Sequence, residues 1–197
     1  RNWPHLAPTP PIDRAAARAA RGWGDEGVVL HAGNMGIKQG LGNVVDAAKL
    51  AAERGDDVRF VLMGGGGERD RLKALGEGIP TLQFIDPLPD AEFSAALAAA
   101  DILLVNEYPG VSEMAVPSKL TSYFSSGRPV IAATDPKGIT ADEVRAAGAG
   151  VVVPAASPKA LLDASLSLGR DHARADELGA SGKRYRETVL DETFAIE

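Results

Sequence analysis

Short apolar runs alternate with longer amphipathic stretches along most of this chain. Each run is four to six residues long, which predicts buried strands over residues 28–32, 58–63, 81–85, 102–105, 129–133 and 150–153. Helical spacing of apolar residues predicts helices over residues 41–54, 68–75, 91–100, 119–126, 140–147, 159–168 and about 171–189. Strands separated by helices pair in parallel, and strands apolar throughout are covered on both faces. The pattern predicts the α/β class, as a doubly wound, Rossmann-like parallel sheet of about six strands with flanking helices.

The start of the chain differs from this alternation. Residues 1–12 are rich in proline and predict an extended linker, followed by a short helix over residues 14–21. Asp13 and Asp90 are placed to cap the helices that follow them. The first residue is Arg1 rather than Met, so we expect a piece of a longer protein. The predicted organisation is a linker with a short N-terminal helix, a Rossmann-like domain and a C-terminal helix, at residues 1–27, 28–170 and 171–197.

Composition excludes several classes of site. The net charge is −6 with both signs interspersed, which argues against a broad basic surface for nucleic acid. The absence of cysteine excludes disulfides, thiolate metal sites and a cysteine nucleophile. His5, His31 and His172 lack metal-ligand spacing, so no metal site is predicted. No apolar run is long enough to span a bilayer, and together these features predict a cytoplasmic protein.

The most informative motif covers residues 116–132. Ser118 is a candidate N-cap for a short helix, Gly127 suits the left-handed residue after it, and Pro129 prevents its continuation. Three residues at helical spacing can face a core, namely Leu120, Tyr123 and Phe124. The start of a helix favours anions, and Lys119 adds a full charge there. The motif therefore suits a phosphate.

A second candidate phosphate site follows the first strand. Gly33 and Gly36 permit close approach of a ligand to the backbone, and Lys38 is placed to reach a diphosphate. The loop lacks the spacing of a dinucleotide fingerprint, and the glycine run 64–67 lacks the fingerprint's third glycine. The chain has no ATPase P-loop in its usual form. We expect the glycine run to be mainly structural.

These blocks resemble the nucleotide-sugar glycosyltransferases of group 1, which have the GT-B fold and include family 4-like enzymes. The resemblance covers about residues 28–190. Gly33, Lys38 and Gly40 fit the family's first loop, and residues 84–88 resemble the segment whose backbone lies along the nucleobase. Residues 117–132 resemble the family's Pro-Ser-Lys to Gly-Arg-Pro-Val ending, and residues 64–69 its second glycine turn.

The chain departs from the family pattern where charged residues are expected. Asn34 stands in place of an arginine in the first loop, and Ser122 in place of the second glutamate of a Glu-x7-Glu motif. Met114 stands at the first glutamate of that motif, although Glu113 adjoins it. Ser122 can still hydrogen-bond a ribose, and Glu113 could serve the donor sugar. A polysaccharide-building branch of the family shows the same departures.

The resemblance implies the C-terminal, donor-binding half of a retaining glycosyltransferase. It would take a sugar from a nucleotide diphosphate, more readily UDP, in the synthesis of bacterial surface polysaccharide or glycolipid, with no cofactor and no metal. Lys38 and Lys119 would stabilise the departing diphosphate as the catalytic pair. The implied donor-binding residues are Gly33, Asn34, Lys38, Gly65, Phe84, Ile85, Glu113, Ser118, Lys119, Leu120 and Ser122.

The resemblance also implies partners. A missing N-terminal domain would carry the site for an acceptor sugar or lipid-linked glycan, and any membrane association would run through it. The last helix would return toward that domain. We therefore expect the isolated chain to transfer no sugar.

Two other functions stay open from the residues. Asn34 and Ser122 would suit a non-catalytic nucleotide-binding or interaction module with a decayed site. A sugar-nucleotide 2-epimerase shares the GT-B fold, although its expected carboxylates and histidine cluster are not evident. Glu107 and Glu113 lie near the end of the fourth strand, where loop carboxylates are usually solvated.

Overall fold

One parallel sheet runs through the part of the chain that the computed structural model describes, residues 11–111 and 115–190. Its six strands are β1 (Gly27–Ala32), β2 (Val58–Met63), β3 (Leu82–Ile85), β4 (Ile102–Asn106), β5 (Val130–Ala133) and β6 (Gly150–Val153). Their order is β3-β2-β1-β4-β5-β6, and every neighbouring pair is parallel. The predicted doubly wound sheet is confirmed, and its winding reverses where β4 lies beside β1.

Eight α-helices are found in the described residues. They are α1 (Arg14–Ala20), α2 (Gly42–Arg54), α3 (Arg69–Leu75), α4 (Asp90–Ala99), α5 (Lys119–Ser125), α6 (Ile139–Ala147), α7 (Pro158–Arg170) and α8 (His172–Tyr185), with a π-helical segment Arg186–Leu190 after α8. Asp13 caps α1 as predicted, accepting a bond from the amide of Ala16. The prediction that Asp90 is a cap is wrong, because Pro89 holds the cap position and Asp90 is the first helical residue. None of the described helices combines the length and the apolar character needed to cross a membrane.

Alternate residues along each central strand contribute their side chains to two separate hydrophobic cores, one on each face of the sheet. On one face, Leu30 of β1 and Leu103 of β4 pack with residues of α4, α5 and α6. On the other face, Val29 and Leu104 pack with α2 and α7. All four side chains are essentially inaccessible to solvent. Burial on both faces explains why apolar residues follow one another along the strands rather than standing only at alternate positions.

Two arginines tie α1 to the C-terminal end of α4. The Arg14 guanidinium donates to the carbonyl of Ala98 at 2.8 Å, and that of Arg18 to the carbonyl of Ala99 at 2.9 Å. Arg18 also pairs with Asp101 at 3.1 Å. Cations are favourable where the last carbonyls of a helix lack partners. The first helix is thereby attached to the sheet domain.

Helix α8 packs closely on the same domain through two glycines. A Cβ on Gly179 would lie 2.0 Å from the carbonyl oxygen of Gly127, and one on Gly182 would lie 2.9 Å from Ala149. The Ser181 hydroxyl donates to the carbonyl of Ala147 at 2.7 Å. The described part of this last helix therefore lies against α5, α6 and β6. A return toward another domain stays a prediction.

The backbone hydrogen-bond ladder between β1 and β4 is short, and the hydroxyl of a tyrosine lies just beyond its end. Strand β1 pairs with β2 at every residue, but its pairing with β4 ends at Leu30 and Leu103. The buried hydroxyl of Tyr123 accepts a bond from the amide of Ala32 and donates one to the carbonyl of Leu104, each at 3.0 Å. Burial raises the pKa of Tyr123, so the hydroxyl stays protonated and able to donate. It bridges the strands where their own hydrogen bonds stop.

We expect Tyr123→Phe to lower the free energy of unfolding by about 1–3 kcal/mol, because it leaves the buried Ala32 amide and Leu104 carbonyl without this partner. Chemical denaturation of both proteins measures the difference. Tyr108→Phe is the matched control, since Tyr108 is 54% exposed. Equal stability of the Tyr123 variant and the unaltered protein would contradict the role of this hydroxyl.

Candidate functional site

A cavity of about 740 Å³ opens at the carboxyl ends of β1 and β4, beside the start of α5. This edge is where parallel α/β sheets bind ligands. The cavity brings together six residues that the sequence singled out, namely Gly33, Asn34, Lys38, Ser118, Lys119 and Ser122. They come from the loop after β1 and from the start of α5, at least 80 positions apart in the sequence, and the sheet order makes these two segments neighbours.

The loop after β1 is shaped by contact with the glycine run. A Cβ on Gly64 would lie 2.1 Å from the carbonyl oxygen of Gly33, and one on Gly66 would lie 2.6 Å from that of Met35. Both glycines have positive φ, at 139° and 145°. The Met35 amide donates to the carbonyl of Gly65 at 2.8 Å. The run therefore packs against the first loop, and Gly65 does not line the cavity.

The Lys38 turn, residues 36–40, is held by the end of β4. The buried Asn106 side chain donates to the carbonyls of Gln39 at 2.7 Å and Gly40 at 3.0 Å. Its amide oxygen accepts from Asn43 at 2.9 Å. The Tyr108 amide donates to the carbonyl of Lys38 at 2.7 Å. The main chain of Lys38 is therefore fixed while its side chain is exposed at the cavity.

Lys119 is a partly buried cation facing this cavity. Its Nζ lies 3.7 Å from the position that a Cβ on Gly33 would take. Among the ion pairs and side-chain hydrogen bonds of the described residues, none involves the Lys119 ammonium group. Burial lowers its pKa to about 8, against the opposing influence of Glu107. The ammonium group thus stays charged at neutral pH, and the described residues give it no direct anionic partner.

The His31 side chain contacts the main chain of the loop after β1. The side chain is fully buried, and Nε2 lies 3.2 Å from the carbonyl oxygen of Asn34. Burial, followed by the charge of Lys119, lowers the pKa of His31 to about 3, so the ring is neutral at physiological pH. A carbonyl oxygen can only accept a hydrogen bond, so Nε2 carries the ring proton. Sequence analysis gave His31 no role, because a lone histidine in a strand carries no recognisable signal.

Glu107 is a further cavity residue, and its placement corrects the expectation that it is merely solvated. One carboxylate oxygen accepts a hydrogen bond from Thr134 at 2.8 Å and the other from Thr140. Both threonines are 1% exposed, and Glu107 itself is partly buried. The threonines follow β5, so their contact with a residue after β4 depends on the order of the strands.

The start of α5 differs in detail from the prediction. Ser118 holds the cap position, but its backbone is helical and its side chain makes no capping bond, so the predicted N-cap hydrogen bond is wrong. The Leu120 amide instead donates to the carbonyl of Pro117 at 3.1 Å. The predictions for Tyr123 and Phe124 are confirmed, since both are buried in the core. Gly127 adopts the expected positive φ of 72°.

Four residues predicted to bind the sugar donor do not line the cavity. The Leu120 side chain is 1% exposed and lies in the core, so it is not available to a donor. Phe84 and Ile85 line a separate groove beside β3, whereas Gly65 packs on the first loop. Glu113 lies outside the described residues, and its role stays a prediction. No group of three or more histidine, aspartate and glutamate side chains that could hold a metal ion is found within residues 11–111 and 115–190.

Comparison with known protein families gives one match over most of the chain. Residues 26–171 match the family described as glycosyl transferases group 1. WcaI of Escherichia coli K12, a glycosyl transferase assigned to colanic acid biosynthesis, is 32% identical over 132 residues, which are 64% of this chain and 32% of WcaI. WbjE of Pseudomonas aeruginosa, named as a glycosyltransferase, is 29% identical over 71% of this chain and 35% of WbjE. The chain thus spans about a third of the length of these curated relatives.

Solved structures share the fold. The C-terminal domain of LpcC, a group 1 family protein of Francisella tularensis, matches 95% of this chain and 96% of that domain, with a TM-score of 0.69 and 17% identity. HepE of Anabaena, solved in complex with UDP-glucose, matches 95% of this chain and 53% of HepE, with a TM-score of 0.74 and 20% identity. At these identities the likeness establishes the fold alone.

We expect Asn106→Ala to loosen the Lys38 turn, because the carbonyls of Gln39 and Gly40 lose their side-chain donor. The cost in unfolding free energy is about 1–3 kcal/mol. Hydrogen exchange should become faster in residues 36–40 by more than in α8. Asn34→Ala is the control, since that side chain is exposed. Uniform acceleration across both regions would show that Asn106 supports the whole domain rather than this turn.

Proposed function

The chain belongs to the group 1 glycosyltransferases and has the fold of their C-terminal domain, and we propose that its cavity binds the nucleotide-sugar donor of a retaining transferase. The observation that carries the proposal is Lys119, a partly buried ammonium group that faces the cavity without an ion pair in the described structure. A partly buried cation is costly unless something compensates its charge. A diphosphate would supply that compensation.

Lys38 and Lys119 give the proposed site its chemistry. Lys38 stands on the turn after β1 and Lys119 at the start of α5, and both segments line one cavity. Cleavage of a bond between a sugar and a nucleoside diphosphate leaves growing negative charge on the diphosphate. Two cations stabilise that charge more in the transition state than in the ground state, which lowers the barrier. Ser118 and Ser122 add exposed hydroxyls on the same wall for hydrogen bonding.

We propose UDP as the carrier of the sugar. HepE, which has the same fold, was solved with UDP-glucose, and WcaI is assigned to colanic acid biosynthesis. Phe84 and Ile85 remain candidates to lie along the base through their backbone, beside β3. Glu113 and Gly65 remain candidates from the family resemblance. Polysaccharide or glycolipid synthesis is the proposed setting.

The whole activity is proposed for a longer protein. Because the chain spans about a third of its curated relatives, we propose that an N-terminal domain supplies the acceptor site for a sugar or lipid-linked glycan. The isolated chain would then transfer no sugar. A cytoplasmic location, with membrane contact through that other domain, belongs to the same proposal.

A non-catalytic nucleotide-binding module is the second candidate. It is favoured by Asn34 and Ser122, which are uncharged where the family commonly carries charge. Release of UDP from a UDP-sugar by the complete gene product separates the two functions, since a module without catalytic activity binds its ligand unchanged. The match to a family described as glycosyl transferases argues against the epimerase alternative.

We expect Lys119→Ala and Lys38→Ala each to weaken UDP binding about tenfold or more, because each removes a charge-assisted contact to the diphosphate. Calorimetric titration of the complete gene product with UDP, GDP and ADP measures the affinity and the base preference. Lys49→Ala is the matched control, since that lysine is exposed on α2 and lines none of the site. Unchanged affinity in both variants would refute the phosphate assignment.

The affinity for UDP should fall as pH rises above about 8, the pKa of Lys119 in the free protein. The lysine is charged below this pH and loses its proton above it, whereas the phosphates of UDP are already ionised above about pH 7. The fall approaches tenfold per pH unit if one proton is involved, at about 1.4 kcal/mol per unit.

Titration between about pH 7 and about pH 9 tests this dependence. Lys119→Gln cannot ionise, so its weaker binding should vary little over the same range. A slope that persists in Lys119→Gln would assign the titration to another group.

A further inference from the structure

One charged group of the cavity has no role in the proposed handling of the diphosphate. Glu107 follows β4 directly and lines the same cavity as Lys38 and Lys119. A carboxylate repels a diphosphate, so it does not belong to the phosphate subsite. Its position must suit a different part of the ligand.

The carboxylate is held rather than free to turn toward solvent. Thr134, directly after β5, donates its hydroxyl to one oxygen, and Thr140, in the first turn of α6, donates to the other. The Glu107 amide also donates to the carbonyl of Ala133 at 3.0 Å. Both threonine side chains are buried. Two hydroxyls and one backbone bond therefore fix a carboxylate at the wall of the cavity.

The charges of the cavity are separated rather than paired. Lys119 and Glu107 influence each other electrostatically, yet they form no ion pair within 4.0 Å. A ligand that lies between them must present negative charge toward the lysine and a neutral, hydrogen-bond-donating surface toward the carboxylate. A nucleotide sugar has this polarity, because its diphosphate is joined directly to a sugar that carries hydroxyl groups.

The two oxygens of Glu107 retain capacity for such hydroxyls. Each oxygen of an ionised carboxylate has about two acceptor positions, and one threonine occupies one position on each oxygen. Hydrogen bonds from hydroxyl groups to a carboxylate are stronger than those between neutral groups. A sugar that itself carries a carboxylate would be repelled at this wall.

We propose that Glu107 recognises the transferred sugar by accepting hydrogen bonds from its hydroxyl groups, and that it selects neutral sugars over uronic acids. Thr134 and Thr140 act as positioning residues that hold the carboxylate. This inference rests on the proposed function of the cavity as a nucleotide-sugar site, and it names the substrate class at the sugar end.

The test compares UDP with UDP-glucose, UDP-galactose, UDP-N-acetylglucosamine and UDP-glucuronate by titration of the complete gene product. The unaltered protein should bind one neutral UDP-sugar more tightly than UDP itself. Glu107→Gln keeps the shape of the side chain and removes its charge. This variant should bind that UDP-sugar about tenfold more weakly, because the sugar contact loses its charge assistance. Its affinity for UDP should change by less than about threefold.

Glu77→Gln is the matched control, since this exposed glutamate near the end of α3 lines no part of the cavity. Thermal unfolding of each variant shows whether the fold is intact. If Glu107→Gln unfolds, the pair Thr134→Val and Thr140→Val replaces it. Each of these substitutions removes one hydroxyl at nearly constant shape. Each should reduce the preference for the UDP-sugar over UDP and leave the affinity for UDP unchanged.

Three results would overturn the inference. The first is equal weakening of UDP and UDP-sugars by Glu107→Gln, which would make Glu107 a structural residue. The second is the absence of any preference for a neutral UDP-sugar over UDP in the unaltered protein. The third is tighter binding of UDP-glucuronate than of every neutral sugar. Failure of UDP itself to bind the unaltered protein would instead refute the proposed function, so the two failures are distinguishable.

Discussion

The site depends on the early end of the hydrogen-bond ladder between β1 and β4. Beyond Leu30 and Leu103 these neighbouring strands no longer pair, although β1 continues to pair with β2 as far as Ala32. The polar backbone groups released there would be costly if they were buried without partners. The Tyr123 hydroxyl satisfies two of them by bonding to both strands. A core residue of α5 thus keeps the strand ends apart beneath the loops that form the cavity.

Each loop above these strand ends is restrained by contacts of its own. Asn106, at the end of β4, reaches the Lys38 turn with its side-chain amide, so the two strand ends remain connected through side chains instead of the ladder. On the other side, Gly64 and Gly66 allow the loop after β2 to touch the loop after β1. The loops around the cavity are therefore fixed by buried polar contacts and close backbone packing, which favours a preformed binding site.

Much of the architecture could be predicted because strand and helix periodicity are local properties of the sequence. The helix and strand limits agree closely, and Gly127 and Asp13 behave as their local chemistry indicates. The errors arose where tertiary contacts decide. Ser118 makes no cap bond, and Glu107 is held by threonines from a different strand connection. Neither the partial burial of Lys119 nor the full burial of His31 has a signature in neighbouring residues.

Asn34 and Ser122 are uncharged where the family commonly carries charged residues, and this changes the charge of the site more than its location. With Asn34 and Ser122 in place of charged residues, the charged side chains among the described residues that line the cavity are Lys38, Lys119 and Glu107. Among the described residues Lys119 has no ion pair, and its partial burial strengthens its interaction with an incoming anion. The same arrangement gives the single carboxylate more influence over the neutral part of a ligand. The departures from the family pattern are thus compatible with a working site whose selectivity is concentrated in three side chains.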